Sequence, residues 1–184
     1  MISLPIVLVG PVRAGKTTLA RLISERLQFP HVSLDQARWE YYREIGYNDE
    51  LAKQIRISGS FLAVMFYRQL FDVYSVERVI RKHPNAVIDF GAGVGPYENL
   101  NQLKQVQELL APILNIFLIL PSPDPEETIR VLAQRDAQPP SDLTFDINRH
   151  FISHPGYRLL AKHVVYNQNQ TPTQTCTDVL ALLT

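Results

Sequence analysis

The chain has a single cysteine, Cys176, among 184 residues. No intrachain disulfide can form, and a lone cysteine reads first as a small buried side chain. This usage suits a reducing compartment, so a cytoplasmic protein is expected. A surplus of one charge is also missing: 18 Lys and Arg offset 18 Asp and Glu, for a formal net charge of +0. Bulk electrostatic attraction to nucleic acid is therefore not expected, although a local basic cleft is compatible with this balance. No apolar run approaches the roughly 20 residues that cross a bilayer, and no membrane partner is expected. The apolar N-terminus has no basic n-region and runs directly into a motif, so it reads as a strand and not as a targeting segment. His150 and His154 share helical spacing, but Pro155 follows and no third ligand is evident, which leaves no metal-binding histidine pattern. Internal repeats and low-complexity tracts are absent too.

What is present is ordinary for a compact soluble fold, with 46% hydrophobic and 20% charged residues. The length fits one domain over 1–184. Ile6-Val7-Leu8-Val9 is a short continuous apolar run, the mark of a strand buried on both faces. Thr17 to Leu27 places Leu19, Leu22, Ile23 and Leu27 on one helical face. Phe29–Ser33 reads as a short second strand weakened by Pro30. Asp35 to about His83 reads as helical, with a break at Gly59-Ser60. Ala86–Phe90 is a third strand, Tyr97–Leu110 an amphipathic helix, and Asn115–Leu120 a fourth strand. Asp124–Arg135 is a helix whose acidic start suits the positive end of the helix dipole. Ala137–Leu143 reads as a loop, and Arg149–Ala161 as helical with a kink at Pro155-Gly156. His163–Tyr166 is a last strand and Thr173–Leu183 a last helix. Strand–helix alternation five times over predicts an α/β fold: a parallel sheet sandwiched between helices.

Gly10-Pro11-Val12-Arg13-Ala14-Gly15-Lys16-Thr17 fits G-x-x-x-x-G-K-[ST] at every fixed position, between an apolar strand and an amphipathic helix. Gly10 and Gly15 admit backbone conformations closed to other residues. The turning amides, including those of Arg13 and Ala14, form an anion nest at a helix start. Lys16 reaches the β- and γ-phosphates, and the Thr17 hydroxyl is the expected magnesium ligand. Thr18 is placed to touch the α-phosphate. No Asn-Lys-x-Asp guanine-reading motif is present, which favours ATP.

Asp35 follows the second strand, at the strand ends where ligands of parallel sheets gather. It can orient or deprotonate an acceptor hydroxyl, and it also suits a helix cap. Asp89 ends the third strand, where P-loop proteins commonly place a magnesium-holding acid. Gly91-Ala92-Gly93 follows it, either leaving room for a ligand or making a plain tight turn. Arg68 lies in the apolar stretch FLAVMFYRQLF, so it either pairs with a carboxylate or faces a cleft. Arg135 and Arg149 flank a candidate lid around 136–149, which would exclude water and neutralise charge. Arg130 reads as a solvated surface residue. Trp39, Tyr41 and Tyr42 read as core or cleft wall.

With these residues in place, the chain resembles the shikimate kinase group of small P-loop kinases. The resemblance rests on the phosphate loop, Asp35, the Gly-Ala-Gly turn, Asp124–Arg135, and the Val164-Val165-Tyr166 strand followed by Thr171-Pro172 and a closing helix. It implies a three-layer α/β/α sandwich with a five-stranded parallel sheet in the order 2-3-1-4-5. It further implies that Asp35, Arg68, Gly91, Ala92, Gly93 and Arg149 bind substrate and that Arg135 sits near the nucleotide as a lid-side catalytic arginine. Departures fall on the acceptor half. Ser33 stands where the group usually has a second aspartate, Ala92 interrupts the glycine triplet, Asp89 is an added carboxylate, and no arginine adjoins Pro139-Pro140.

The expected activity is transfer of the γ-phosphoryl group of Mg-ATP to a hydroxyl of a small anionic metabolite, with Lys16, Asp35 and Arg135 as the catalytic residues and Thr17 and Asp89 at the metal. The alternative is a P-loop ATPase or nucleotide-dependent regulator without a small acceptor. A monomer or small homo-oligomer is expected.

Overall fold

The computed structural model describes residues 2–59, 61–135 and 147–184. Its strands are β1 (Ile6–Val9), β2 (His31–Ser33), β3 (Val87–Asp89), β4 (Asn115–Leu120) and β5 (His163–Tyr166). They form one sheet in the order β2-β3-β1-β4-β5, parallel at every pairing. The predicted order and direction are thus those of the molecule.

The apolar runs are continuous because the central strands are covered on both faces. On one face Val7, Val9, Ile88, Ile116 and Leu118 pack with Leu34, Tyr41, Met65, Val106 and Leu160. On the other, Ile6, Leu8, Val87, Phe117 and Ile119 meet Leu19, Ile23, Leu132 and Val179. The first layer is α2 (Leu34–Glu44), α4 (Phe61–Lys82), α5 (Leu100–Leu110) and α8 (Gly156–Leu160); the second is α1 (Lys16–Leu27), α6 (Pro125–Gln134) and α9 (Pro172–Ala181). Two further helices lie outside this division: α3 (Asp49–Ser58) packs on α4, and α7 (Ile147–Ser153) packs on α6. Among the described residues no helix is long and apolar enough to cross a membrane. Cys176 is buried in the second layer.

Local chemistry sets the boundaries. Pro30 has no amide to give the sheet, and β2 begins one residue after it, while the Pro30 carbonyl accepts from Val87 N at 2.9 Å. Asp124 caps α6 by accepting from Glu127 N at 3.0 Å. Two boundaries differ from the sequence reading. The long helical stretch breaks at Ile45–Asn48 as well as at Gly59: Gly46 takes φ 88°, and Asn48 caps α3. The helix expected from Tyr97 begins at Leu100, capped by Asn99, because residues 91–99 form a loop with Tyr97 fully buried. Of the candidate lid, 136–146 lie outside the described residues, and 147–149 open α7.

Candidate functional site

At the carboxyl end of β1 the chain enters the phosphate loop. Gly10 has φ +143°, and a Cβ there would stand 2.5 Å from the Ile119 carbonyl oxygen on β4. A side chain is excluded on both counts. Arg13 (φ 65°) and Gly15 (φ 92°) are also left-handed, which turns successive amides to one side. Helix α1 starts at Lys16 with no side chain capping it, so its first amides face the loop's concavity. Thr17 and Thr18 are exposed at that start. Lys16 folds back to donate to the Pro11 carbonyl at 2.7 Å and is 9% exposed. Burial pulls its pKa down to about 8, against the opposing pull of Asp35 and Asp89. Both carboxylates therefore lie within electrostatic reach of the phosphate-loop lysine.

A cleft of about 280 Å³ opens beside the loop, walled by Gly15, Thr18, Arg135, Asn167, Gln170 and Pro172 among others. A closed set of bonds holds its mouth. Arg13 donates to the Arg135 carbonyl at 3.0 Å, and Arg135 donates to the Arg13 carbonyl at 3.4 Å. Arg135 also donates to Asn167 Oδ1 at 3.1 Å, and Asn167 Nδ2 donates to the Ala14 carbonyl at 2.8 Å. The arginine that ends α6 is thus locked to the phosphate loop and to the loop after β5. From α7, Asn148 accepts from Val12 N at 3.0 Å.

Asp89 ends β3 beside Leu8 of β1 and Ser33 of β2. It is 2% exposed, and among the described residues neither carboxylate oxygen has a hydrogen-bond donor. His31 Nε2 lies 3.6 Å away, beyond hydrogen-bond range. A buried carboxylate without donors is costly unless a cation or its hydration water completes it. Asp89 and the exposed Thr17 hydroxyl therefore fit a magnesium ion arriving with a triphosphate. Among the described residues no three acidic, histidine or cysteine side chains gather.

Asp35 stands in the first turn of α2 with a largely exposed side chain. One turn on, Arg38 is buried and pairs with Asp35 Oδ1. Its other nitrogen lies 3.9 Å from Asp72 Oδ1 on α4. Asp72 is 2% exposed and also accepts from the Tyr42 hydroxyl. Burial raises the Asp72 pKa to about 6, with Arg38 and Tyr42 opposing the rise. Gly91 closes against this pair, since a Cβ there would run into Arg38 and Asp35. Gly93 has open space around it, and the Ala92 carbonyl accepts from the Tyr157 hydroxyl. Arg68 lies with its guanidinium carbon 5.1 Å from the Trp39 ring centre, and its Nε is buried without a partner.

The structure thus brings Lys16, Asp35, Asp89 and Gly91 to one edge of the sheet, with Arg135 on the wall of the cleft beside the phosphate loop. It does not bring Arg149 to Asp35. The Arg149 guanidinium forks onto Glu126 of α6 at 2.5 and 2.9 Å. Arg130 pairs with Glu127 on the surface. Trp39 lines a cleft, whereas Tyr41 and Tyr42 are core. Sequence reasoning missed Arg38, Asp72, Asn167 and Tyr157. For the first two a faint signal existed: Arg38 stands three residues after Asp35, and Asp72 four after Arg68, both facing spacings on a helix. Asn167 and Tyr157 act from loops and a short helix, where no spacing rule applies.

No family profile matches the chain, and no curated protein matches it in sequence. Solved structures do. A shikimate kinase from Acinetobacter baumannii in complex with shikimate superposes with a TM-score of 0.63 at 17% identity, covering 96% of this chain and 90% of that one. The shikimate kinase from Aquifex aeolicus gives 0.60 at 18% identity, covering 96% and 94%. A gluconokinase from Sinorhizobium meliloti gives 0.55 at 10% identity, covering 96% and 89%. The chain has the fold of these P-loop kinases.

Proposed function

We propose that this protein is an ATP-dependent small-molecule kinase. The observation that carries the reading is the placement of Asp35 and Asp89 around Lys16, both near enough to act on its charge. One carboxylate is orphaned and suited to magnesium; the other is exposed towards an acceptor. A simple nucleotide site needs the first and has no use for the second. The fold shared with shikimate kinases and a gluconokinase supports the same reading.

In this account the amides of Arg13 to Thr17 and the Lys16 ammonium hold the triphosphate. Thr17 and Asp89 would hold magnesium, which would supply neutralising charge to the phosphates. Asp35 orients the acceptor hydroxyl and takes its proton. The hydroxyl oxygen bonds to the γ-phosphorus as the bond to the bridging oxygen of the departing ADP breaks. Arg135 offsets the charge that develops on the nucleotide. Arg68 and the Gly91-Ala92-Gly93 turn border the acceptor, while Arg149 stays with Glu126.

The alternative, an ATPase or regulator without acceptor, draws on the Arg38–Asp35 ion pair, which already engages the carboxylate. The two readings part on ADP release. Addition of sugar-acid, hydroxy-acid and nucleoside acceptors is expected to raise it with at least one member. No stimulation by any member would favour the alternative. Lys16→Ala should remove triphosphate affinity under either reading, and unchanged binding by calorimetry would sink both.

A further inference from the structure

Helix α7 is seven residues long, yet its successive side chains go to different elements. Asn148 Oδ1 accepts from Val12 N of the phosphate loop at 3.0 Å. Arg149 turns onto Glu126 of α6. His150 Nε2 lies 3.1 Å from Glu98 Oε1, in the loop that follows β3. Phe151, 3% exposed, anchors the helix in the core and meets the Tyr157 ring on α8 edge to face at 6.4 Å. Tyr157 continues the line. Its hydroxyl donates to the Ala92 carbonyl, and Gly95 approaches its ring so closely that a Cβ there would strike it. The loop after β3 is therefore gripped at Ala92, Gly95 and Glu98, every third residue, from α7 and α8. The sheet alone does not fix these positions. β1 and β3 pair as far as Leu8 and Asp89, and one further bond runs from Phe90 N to the Leu8 carbonyl at 2.9 Å. Beyond it the pairing ends, and α7 reaches both loops.

We propose that α7 is a strut that sets the loop Gly91–Glu98 against the phosphate loop, with Asn148 and His150 as its positioning residues. The inference rests on the kinase reading, in which one loop borders the acceptor and the other holds the triphosphate. A misplacement of about 1 Å between reacting groups costs on the order of a hundredfold in rate, so the spacing of the two loops matters. A bound triphosphate orders the phosphate loop, Val12 included. The restraint then passes through contiguous contacts: from Val12 to Asn148, along α7 to His150 and Phe151, and from these to Glu98, Tyr157 and Ala92.

The reporters are the amides of Val94 and Tyr97, which donate within the loop to the Gly91 and Gly95 carbonyls at 3.0 and 2.8 Å. Their hydrogen exchange is measured in the free protein and in the protein saturated with magnesium and the non-hydrolysable triphosphate AMP-PNP. We expect exchange at both to slow about fivefold on binding, the scale of one neutral hydrogen bond. Asn148→Ala should abolish the slowing at saturating AMP-PNP, and Asn148→Asp, which still accepts from Val12 N, should keep it. His150→Ala should diminish it, and His150→Gln, which can still donate to Glu98, should restore it; this pair decides alone if Asn148→Ala does not fold. The proposal is overturned if the unmodified protein binds AMP-PNP without slowing either amide, or if the slowing survives unreduced in Asn148→Ala or His150→Ala. It falls together with the nucleotide site if AMP-PNP does not bind. Turnover is read separately. With an acceptor that stimulates ADP release, Asn148→Ala should lower kcat about tenfold and leave the KM for ATP within about twofold. Slowed exchange without stimulated ADP release by any acceptor keeps a nucleotide-linked strut and overturns its positioning role, together with the kinase reading. Stimulated ADP release with an equal kcat in Asn148→Ala and the unmodified protein overturns the strut and spares the kinase.

Discussion

Around the phosphate loop, most contacts end on backbone atoms. Lys16 donates to the Pro11 carbonyl, Asn167 to that of Ala14, Arg135 to that of Arg13, and the helix start is left open. Around Asp35, side chain meets side chain: Asp35 with Arg38, Arg38 with Asp72, Asp72 with Tyr42, Arg68 with Trp39. Both regions face the same sheet edge. Backbone amides donate to phosphate whatever it is attached to, so one local pattern serves every triphosphate. Side-chain networks recognise one acceptor, and this one is assembled from two helices, α2 and α4. A half built on backbone should resist substitution of surrounding side chains and fail at its glycines and lysine. A half built on side chains should fail at any member of the network.

Gly91→Ala strikes the second half hardest. The added Cβ collides with the Asp35–Arg38 pair, and Arg38 is buried too tightly to yield. Displacing a catalytic carboxylate by about 1 Å costs on the order of a hundredfold in rate. Acceptor-stimulated ADP release should fall by that order, while nucleotide affinity in calorimetry stays within a factor of about two. The crossed variant is Asn167→Ala, which removes the bond to Ala14 and the acceptor for Arg135. Nucleotide affinity should drop about tenfold, with kcat at saturating ATP little altered. If each variant damages both functions equally, the two halves are one coupled unit and the division is wrong.

This difference also explains what could be read beforehand. The phosphate loop is contiguous, so Gly10 to Thr17 carry their reason within eight positions. The buried parallel sheet was accessible because the apolar runs of β1, β3 and β4 are too continuous for any half-exposed strand, and its order followed from the resemblance to the shikimate kinase group. Arg38 and Asp72, by contrast, look like surface charges on two amphipathic helices. Only the packing of α2 on α4, which buries both, makes them a network. The same packing turned Arg68 away from Gly91 and onto Trp39. The break at Gly46 was visible as a glycine but was hidden by the helix-forming residues on either side.

The depressed Lys16 pKa gives a test within the nucleotide half. Below about pH 8 the free protein already carries the ammonium. Above it, triphosphate binding must draw in a proton, so affinity should decline by up to about tenfold per pH unit. Calorimetry in buffers of different protonation enthalpy should show proton uptake near zero at about pH 7 and approaching about one at about pH 9. For stability the sign is opposite. A lysine held below its unfolded pKa destabilises the fold when charged, and this penalty is relieved as pH rises from about 8 towards the ordinary lysine value of 10.5. Lys16→Met should therefore raise the melting temperature at neutral pH while abolishing nucleotide binding. A fall in melting temperature would mean that the bond to Pro11 outweighs the cost of burial.

Arg149 supplies the smallest effect and the sharpest boundary. Its resemblance-based role places it on the acceptor, and its geometry places it on Glu126. Both partners of that pair are more than half exposed, at 54% and 71%. Solvent screens such a pair, so it contributes little to stability. If the pair persists through turnover, Arg149→Ala should change kcat and the acceptor KM by less than about threefold, and Glu126→Gln should behave alike. A loss confined to Arg149→Ala, with Glu126→Gln unaffected or faster, would mean that the arginine leaves Glu126 to meet the acceptor. The acceptor half would then draw a residue from α7, and the separation between the halves would hold only in the resting protein.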